Sequence, residues 1–199
     1  TFKSSVINKD LVIPKGYKVL AQEGTVIDLI NSSLILSYSA LDFIGSKEKP
    51  IKIISSDKTG QGLVVQYAPV SNFKYVQIDG LNAPHKDGWQ LTGPVNFYES
   101  DINFDNVVIS NINYEDTINI VRSNVEIKTS VFKDWLSDCF DGDFITGIIQ
   151  DSLFMNCGND GLDISGSNIT IKNIKAENLA DKGISVGEKS YASIINVEI

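Results

Sequence analysis

Four segments of the chain repeat a short acidic phrase: Glu115-Asp116-Thr117-Ile118-Asn119, Ser137-Asp138-Cys139-Phe140-Asp141, Asn159-Asp160-Gly161-Leu162-Asp163 and Asp181-Lys182-Gly183-Ile184-Ser185. Asp116, Asp138, Asp160 and Lys182 fall 22 residues apart, as do Asn119, Asp141, Asp163 and Ser185, and Asp143 adds a carboxylate beside Asp141. If each interval is one turn of a coil, equivalent side chains lie about 4.8 Å apart. Carboxylates that close repel, and each holds its proton to higher pH unless a cation or donor intervenes. Two chemistries use such a cluster. Paired carboxyls across a sugar act as general acid and base, with Asp138, Asp160, Asp141 and Asp163 as candidates and Lys182 as the cation closing the column. Alternatively, Asp141, Asp143 and Asp163 supply oxygens of the kind Ca²⁺ takes as ligands. A structural reading stands beside both, because Asp, Asn and Gly mark corners between strands by bonding local backbone.

The elements that would position these residues follow from the same period. Val125, Gly147 and Ile169 share a column, as do Ile127, Ile149 and Ile171, then Phe132, Phe154 and Ala176, then Ile118, Phe140, Leu162 and Ile184. Within each run apolar residues alternate, as strands with one buried face require. A period in the low twenties built from such runs describes a solenoid, here an all-β, right-handed parallel β-helix. Asn111, Asp134, Asn156 and Asn178 form a further column, suited to a turn-to-turn hydrogen-bond ladder at a left-handed bend. The chain reads as one domain, 1–199, with irregular turns over 1–100 and regular turns over 101–199. Its length corresponds to roughly nine turns and a rod on the order of 40 Å. Residues 82–89, holding Pro84 and the lone His85, break the period and read as a projecting loop.

Net charge is −8, and Arg122 is the only arginine. That balance argues against nucleic acid, whose affinity rests on cations neutralising phosphates. No run approaches the length of a membrane span. The chain opens at Thr1 without a basic and apolar leader, so any signal peptide is expected to have been removed or to lie elsewhere. Cys139 and Cys157 fall in different columns, and the spacing predicts two separate buried thiols. The last strand stops on an open stack, which predicts a longer protein or a partner domain or subunit covering that end.

Other residues flank the acidic columns. Arg122, Asp116, Asn119 and Lys189 are candidates for substrate binding, and Trp89, near Phe97 and Tyr98, is a candidate sugar platform. Trp135 shares a column with Cys157 and Leu179 and is expected in the core.

The pattern resembles the pectin lyase-like superfamily of parallel β-helix proteins along essentially the whole chain, and Leu11-Val12-Ile13-Pro14-Lys15-Gly16 looks like the opening turn of many secreted members. A narrower likeness is to polygalacturonase-type glycoside hydrolases, whose motifs read N-T-D, D-D-C and G-H-G. Asn159-Asp160-Gly161 resembles the first, Ser137-Asp138-Cys139 the second, and Asp181-Lys182-Gly183 stands nearest the third, with Lys182 in place of the histidine. The likeness implies catalytic positions at Asp138 and Asp160 and an exported protein, extracellular, periplasmic or at the cell surface. The motif order is reversed, one Asp is a serine and no R-x-K element follows. The expected function is a carbohydrate-active β-helix that binds or cleaves an acidic polysaccharide, as hydrolase, lyase or epimerase, with Ca²⁺ as the one cofactor in view. The competing expectation is a non-catalytic scaffold or binding module of a larger surface protein.

Overall fold

The computed structural model describes residues 1–86, 88–112 and 116–199, and the backbone alone of Trp135. Among the described residues every regular element is a strand. Eight strands, one per turn, stack in parallel in the order Leu11–Ile13, Ile35–Ser37, Leu63–Gln66, Val95–Tyr98, Ile118–Val121, Asp141–Asp143, Leu162–Ser165 and Ile184–Val186. The rest of each turn belongs to a 13-stranded sheet bent into two limbs, seen where Ile102–Ile112 pairs with both Asn124–Lys128 and Val131–Trp135. The molecule is therefore a parallel β-solenoid, and the columns expected from the 22-residue period are its hydrogen-bond register. The eight turns, against roughly nine expected from length, follow from insertions. The step between paired strands is 28 residues from Ile35 to Leu63 and 32 from Leu63 to Val95, falling to 22 after Asn119.

Burying one face of each strand forms the core. Phe43, Phe73 and Phe104 stack at centroid spacings of 5.2 Å, and Phe132 lies parallel to Phe154 at 5.0 Å. Phe97 is fully buried in the same core and does not flank a groove, because strand alternation turns Tyr98 outward in its place. The 82–89 segment is more ordered than a plain loop: His85–Lys86 pairs antiparallel with Trp89–Gln90. Asp87 within it, Asn113, Tyr114 and Glu115 in the repeat, and the side chain of Trp135 lie outside the described residues.

Corners are made by single left-handed residues. Asn111, Asp134, Asn156 and Asn178 have φ of 55°, 65°, 55° and 53°. Asn156 Nδ2 donates to Asp134 Oδ1 at 2.6 Å, and Asn178 Nδ2 donates to Asn156 Oδ1 at 3.2 Å, which is the expected ladder over its last three residues, while Asn111 Nδ2 donates to Asp79 Oδ1 at 2.7 Å. A second ladder joins Asp151, Asn173 and Asn196, also left-handed. The third corner uses Glu99, Arg122, Phe144, Gly166 and Lys189, each followed within two residues by an inward turn. There buried serines cap the chain. Ser123 Oγ accepts from Ser100 N at 2.9 Å and donates to Val121 O at 3.0 Å, and Ser167 repeats the arrangement with Ile145 N and Ser165 O. These hydroxyls satisfy amides that the corner turns away from the sheet ladder.

One expectation is overturned. Cys139 and Cys157 form a disulfide, with Cα atoms 5.6 Å apart and 18 residues between them in sequence. Cys157 is in register with Leu179 at the end of a strand, but the corner that follows folds back over four residues. Cys139 lies in the corresponding corner one turn earlier, where its N donates to Asp160 O, and this diagonal placement falls inside the range a disulfide spans.

The Asn ladder separates backbone strain from side-chain bonding. Asn156→Gly keeps the left-handed backbone and should lose about 0.5–1.5 kcal/mol through the ladder bonds. Asn156→Ala should lose roughly 1–2 kcal/mol more, because a Cβ there crowds the following carbonyl. Urea unfolding of the two variants checks this ordering, and equal losses would show that φ contributes nothing.

Candidate functional site

The site is the outward face of the eight-stranded sheet over its last four turns. Alternation sends Ile118, Ile120, Leu162 and Ile164 inward, so Asn119, Asp141, Asp163 and Ser185 point outward in one column. Val121, Asp143 and Ser165 form the next. The Asp-Gly-Asp strand has little intrinsic preference for β structure. Its glycine suits the packing, since a Cβ at Gly142 would come within 2.7 Å of Ile145 Cδ1 and 2.9 Å of the Phe140 ring. The core therefore fixes Asp141 and Asp143 on both sides of a position that carries no side chain.

Asp141 is the most perturbed of these carboxyls. Burial, then the charges of Asp116 and Asp143, push it up to about 7, against a hydrogen bond donated by Asn119. Asp143 is also raised, by burial and then by Asp163, while Arg122 opposes the shift. Arg122 is exposed at the neighbouring corner, with its guanidinium 5.0 Å from the Phe144 ring centre and 5.9 Å from that of Tyr98. Lys189 occupies the same corner three turns on, exposed.

The corner column behaves differently. Asp116 pairs with Asp138 in an isolated parallel bridge and is buried. Asp138 Oδ1 accepts from Asp160 N and from Asn159 Nδ2, both at 2.8 Å. Asp160, 3% exposed, accepts from Lys182 N at 2.8 Å and lies 3.5 Å from Lys182 Nζ. Lys182 also pairs with Asp181 at 2.6 Å, and these carboxylates raise its ammonium further. Asp138 is raised by burial, with the two hydrogen bonds opposing. Asp138 and Asp160 thus each cap the amide one turn above.

The structure gathers Asp141, Asp143, Asp163 and Asn119 on one surface beside Arg122, and sets Asp138, Asp160 and Lys182 into the corner next to it. Trp89 and His85 are not brought in. Their hairpin makes its contacts toward earlier turns, through Lys86 with Asp10 and His85 with Gln61. The segment after it does return: Asp116 N donates to Thr92 O, and Asn96 Nδ2 donates to Gly93 O. Val64 and Asn96 are buried at outward positions, so the excursion closes one end of the face. Among the described residues no group of three or more His, Cys, Asp or Glu is disposed to hold a metal ion, and no step below runs through Ca²⁺. Sequence reasoning named Tyr98 but missed Phe144 and Tyr67 beside Arg122, because that corner column shares no residue type.

Two outcomes follow from these environments. Asp160→Ala strands the Lys182 amide and should cost about 1–3 kcal/mol, whereas Asp160→Asn retains an acceptor and should cost less, as read by thermal unfolding. For Asp141 the folded carboxyl titrates near 7 and the unfolded one near 3.8, so between those values only the folded state keeps the proton. Stability then falls as pH rises through that window and levels off above it, by on the order of 4 kcal/mol. Asp141→Asn should flatten this slope and melt higher than the parent at alkaline pH; an unchanged slope would show that Asp141 is not its source. In comparison with known proteins, no family model matches the chain, and neither a curated protein nor a solved structure matches it.

Proposed function

We propose that the outward face of the eight-stranded sheet binds a polysaccharide and hydrolyses a glycosidic bond, with Asp141 as proton donor and Asp143 as base. The observation that carries this reading is the contrast between these two carboxyls. Asp141 is pushed up to about 7 and is substantially protonated at neutral pH, while Asp143, raised by burial and then by Asp163, has the Arg122 guanidinium opposing its shift. Environments that push paired carboxyls apart are what divides an acid from a base. Alternate residues on a strand lie roughly 6.6 Å apart, close to the separation at which two carboxyls admit a water between them. Asp141 gives its proton to the glycosidic oxygen as the bond to the anomeric carbon breaks. Asp143 takes a proton from the water that attacks that carbon from the opposite face, so the product is a free reducing end of inverted configuration.

The coiled architecture agrees with membership of the pectin lyase-like superfamily, which remains part of this proposal, and the Cys139–Cys157 disulfide is consistent with an exported protein. The capping bonds of Asp138 and Asp160 favour a second reading, a scaffold or binding module without turnover, in which acidic corners only hold the turns together.

The test is release of reducing ends, with absorbance at 235 nm, from a panel of neutral and uronate polysaccharides. The proposal expects reducing ends without unsaturated products, activity falling as pH rises past about 7, and a loss of at least about 100-fold in Asp141→Asn. Absence of turnover on every polymer would establish the scaffold reading, and a rise at 235 nm would replace hydrolysis by elimination.

A further inference from the structure

Along the edge of the acidic face runs a surface of a different kind. Tyr67, Arg122 and Phe144 occupy the third corner in three of four successive turns, and Tyr98 is the strand residue just before it in the remaining turn. Tyr67 is 54% exposed and Phe144 53% exposed. Their rings are not scattered, as lone surface aromatics are. Tyr67 meets Tyr98 at a ring-centre distance of 5.4 Å, and the Arg122 guanidinium bridges the Tyr98 and Phe144 rings while Nη1 donates to Tyr98 Oη at 3.4 Å. Gly166, left-handed with φ of 62°, stands under Phe144, where a Cβ would strike the ring at 2.6 Å. The ring is therefore seated on backbone and presents its other side to solvent.

Three of these residues hold a conformation that bulky side chains avoid: φ is 52° at Tyr67, 51° at Arg122 and 55° at Phe144. In this position a side chain is thrown out from the corner instead of packing on the strand face. The result is a strip rising about 4.8 Å per turn, close to the length of one pyranose ring in an extended chain. Aromatic rings bind the C–H faces of sugars, and tyrosine hydroxyls and a guanidinium bind their oxygens.

Charge narrows the occupant. Arg122 at the centre of the strip repels a polycation. Glu99 in the same column and Asp143 and Asp163 beside it repel a polyanion, on a chain of net charge −8. We propose that the Tyr67–Tyr98–Arg122–Phe144 strip is a stacking platform for an uncharged, extended polysaccharide lying along the solenoid axis. This rests on the polysaccharide reading above and replaces the acidic polymer expected from sequence with a neutral one.

Affinity electrophoresis of the whole protein through gels containing either neutral linear glycans or polyuronates tests the platform. Retardation by at least one neutral glycan and by no polyuronate is expected, with Phe144→Gly weakening it by about tenfold or more and Phe144→Trp preserving it. Glycine suits the left-handed position, so loss of binding in that variant reports the ring and not the backbone. Tyr191→Ala, which removes a 77%-exposed aromatic from the other sheet, should bind like the parent. Retardation by polyuronates alone, or a Phe144→Gly variant that binds a neutral glycan unchanged, overturns the platform and leaves the hydrolase proposal standing. Retention that depends on Phe144 with no release of reducing ends supports the platform and sinks hydrolysis. Mobility unaffected by any polymer sinks both.

Discussion

The constraint on which this molecule depends is vertical register: each residue sits about 4.8 Å from its equivalent in the turns before and after it. Whatever one turn contains, the next must tolerate in direct contact. Apolar columns gain from this, since Phe132 finds Phe154 and Phe73 finds both Phe43 and Phe104. Amide columns gain as well, because an Asn carries both donor and acceptor and can bond upward and downward at once. Carboxylate columns do not. Asp has only acceptors when ionised, so identical neighbours repel, and each acidic column must find its own solution.

The corners supply one. A corner interrupts the sheet ladder and leaves backbone amides in need of acceptors. Serine hydroxyls fill this need at the corner after the eight-stranded sheet, and aspartate does so at the corner before it. The carboxylate of one turn therefore bonds the amide of the next instead of facing its carboxylate. The same corner carries the Cys139–Cys157 disulfide, so a covalent bond and carboxylate–amide caps fix the turns from which Asp141 and Asp163 are presented.

These differences explain what was legible in the residues. The 22-residue spacing exposed the coil, the strand columns and the Asn ladder, because each depends on a residue type that recurs with the turn. It also placed Asn119, Asp141, Asp163 and Ser185 in one column, now seen as strand partners. The third corner was invisible. Glu99, Arg122, Phe144 and Lys189 share a backbone conformation and no chemistry, so no column stands out. The disulfide was misread because columns describe strands, and the path of the chain through a corner is not given by spacing. The turn count was overestimated for a related reason: insertions of variable length consume sequence without adding rise.

The two acidic columns lie only three residues apart in each turn, yet their electrostatics diverge for a reason that the backbone imposes. On a strand inside a sheet, every amide is already committed to the ladder, so Asp141 has no capping donor of the kind that serves Asp138 and Asp160. Its one side-chain donor is Asn119, and its neighbours on the face are Asp143 and Asp163, with Asp116 at the corner behind. A carboxyl in that position lowers its energy by keeping a proton. Asp141 is in this way held as an acid that keeps its proton near neutral pH. Arg122, exposed at its left-handed corner, opposes the upward shift that burial and then Asp163 impose on Asp143. The two carboxyls of this strand are thus alike in being raised, and they differ in that a cation opposes the shift of the second alone.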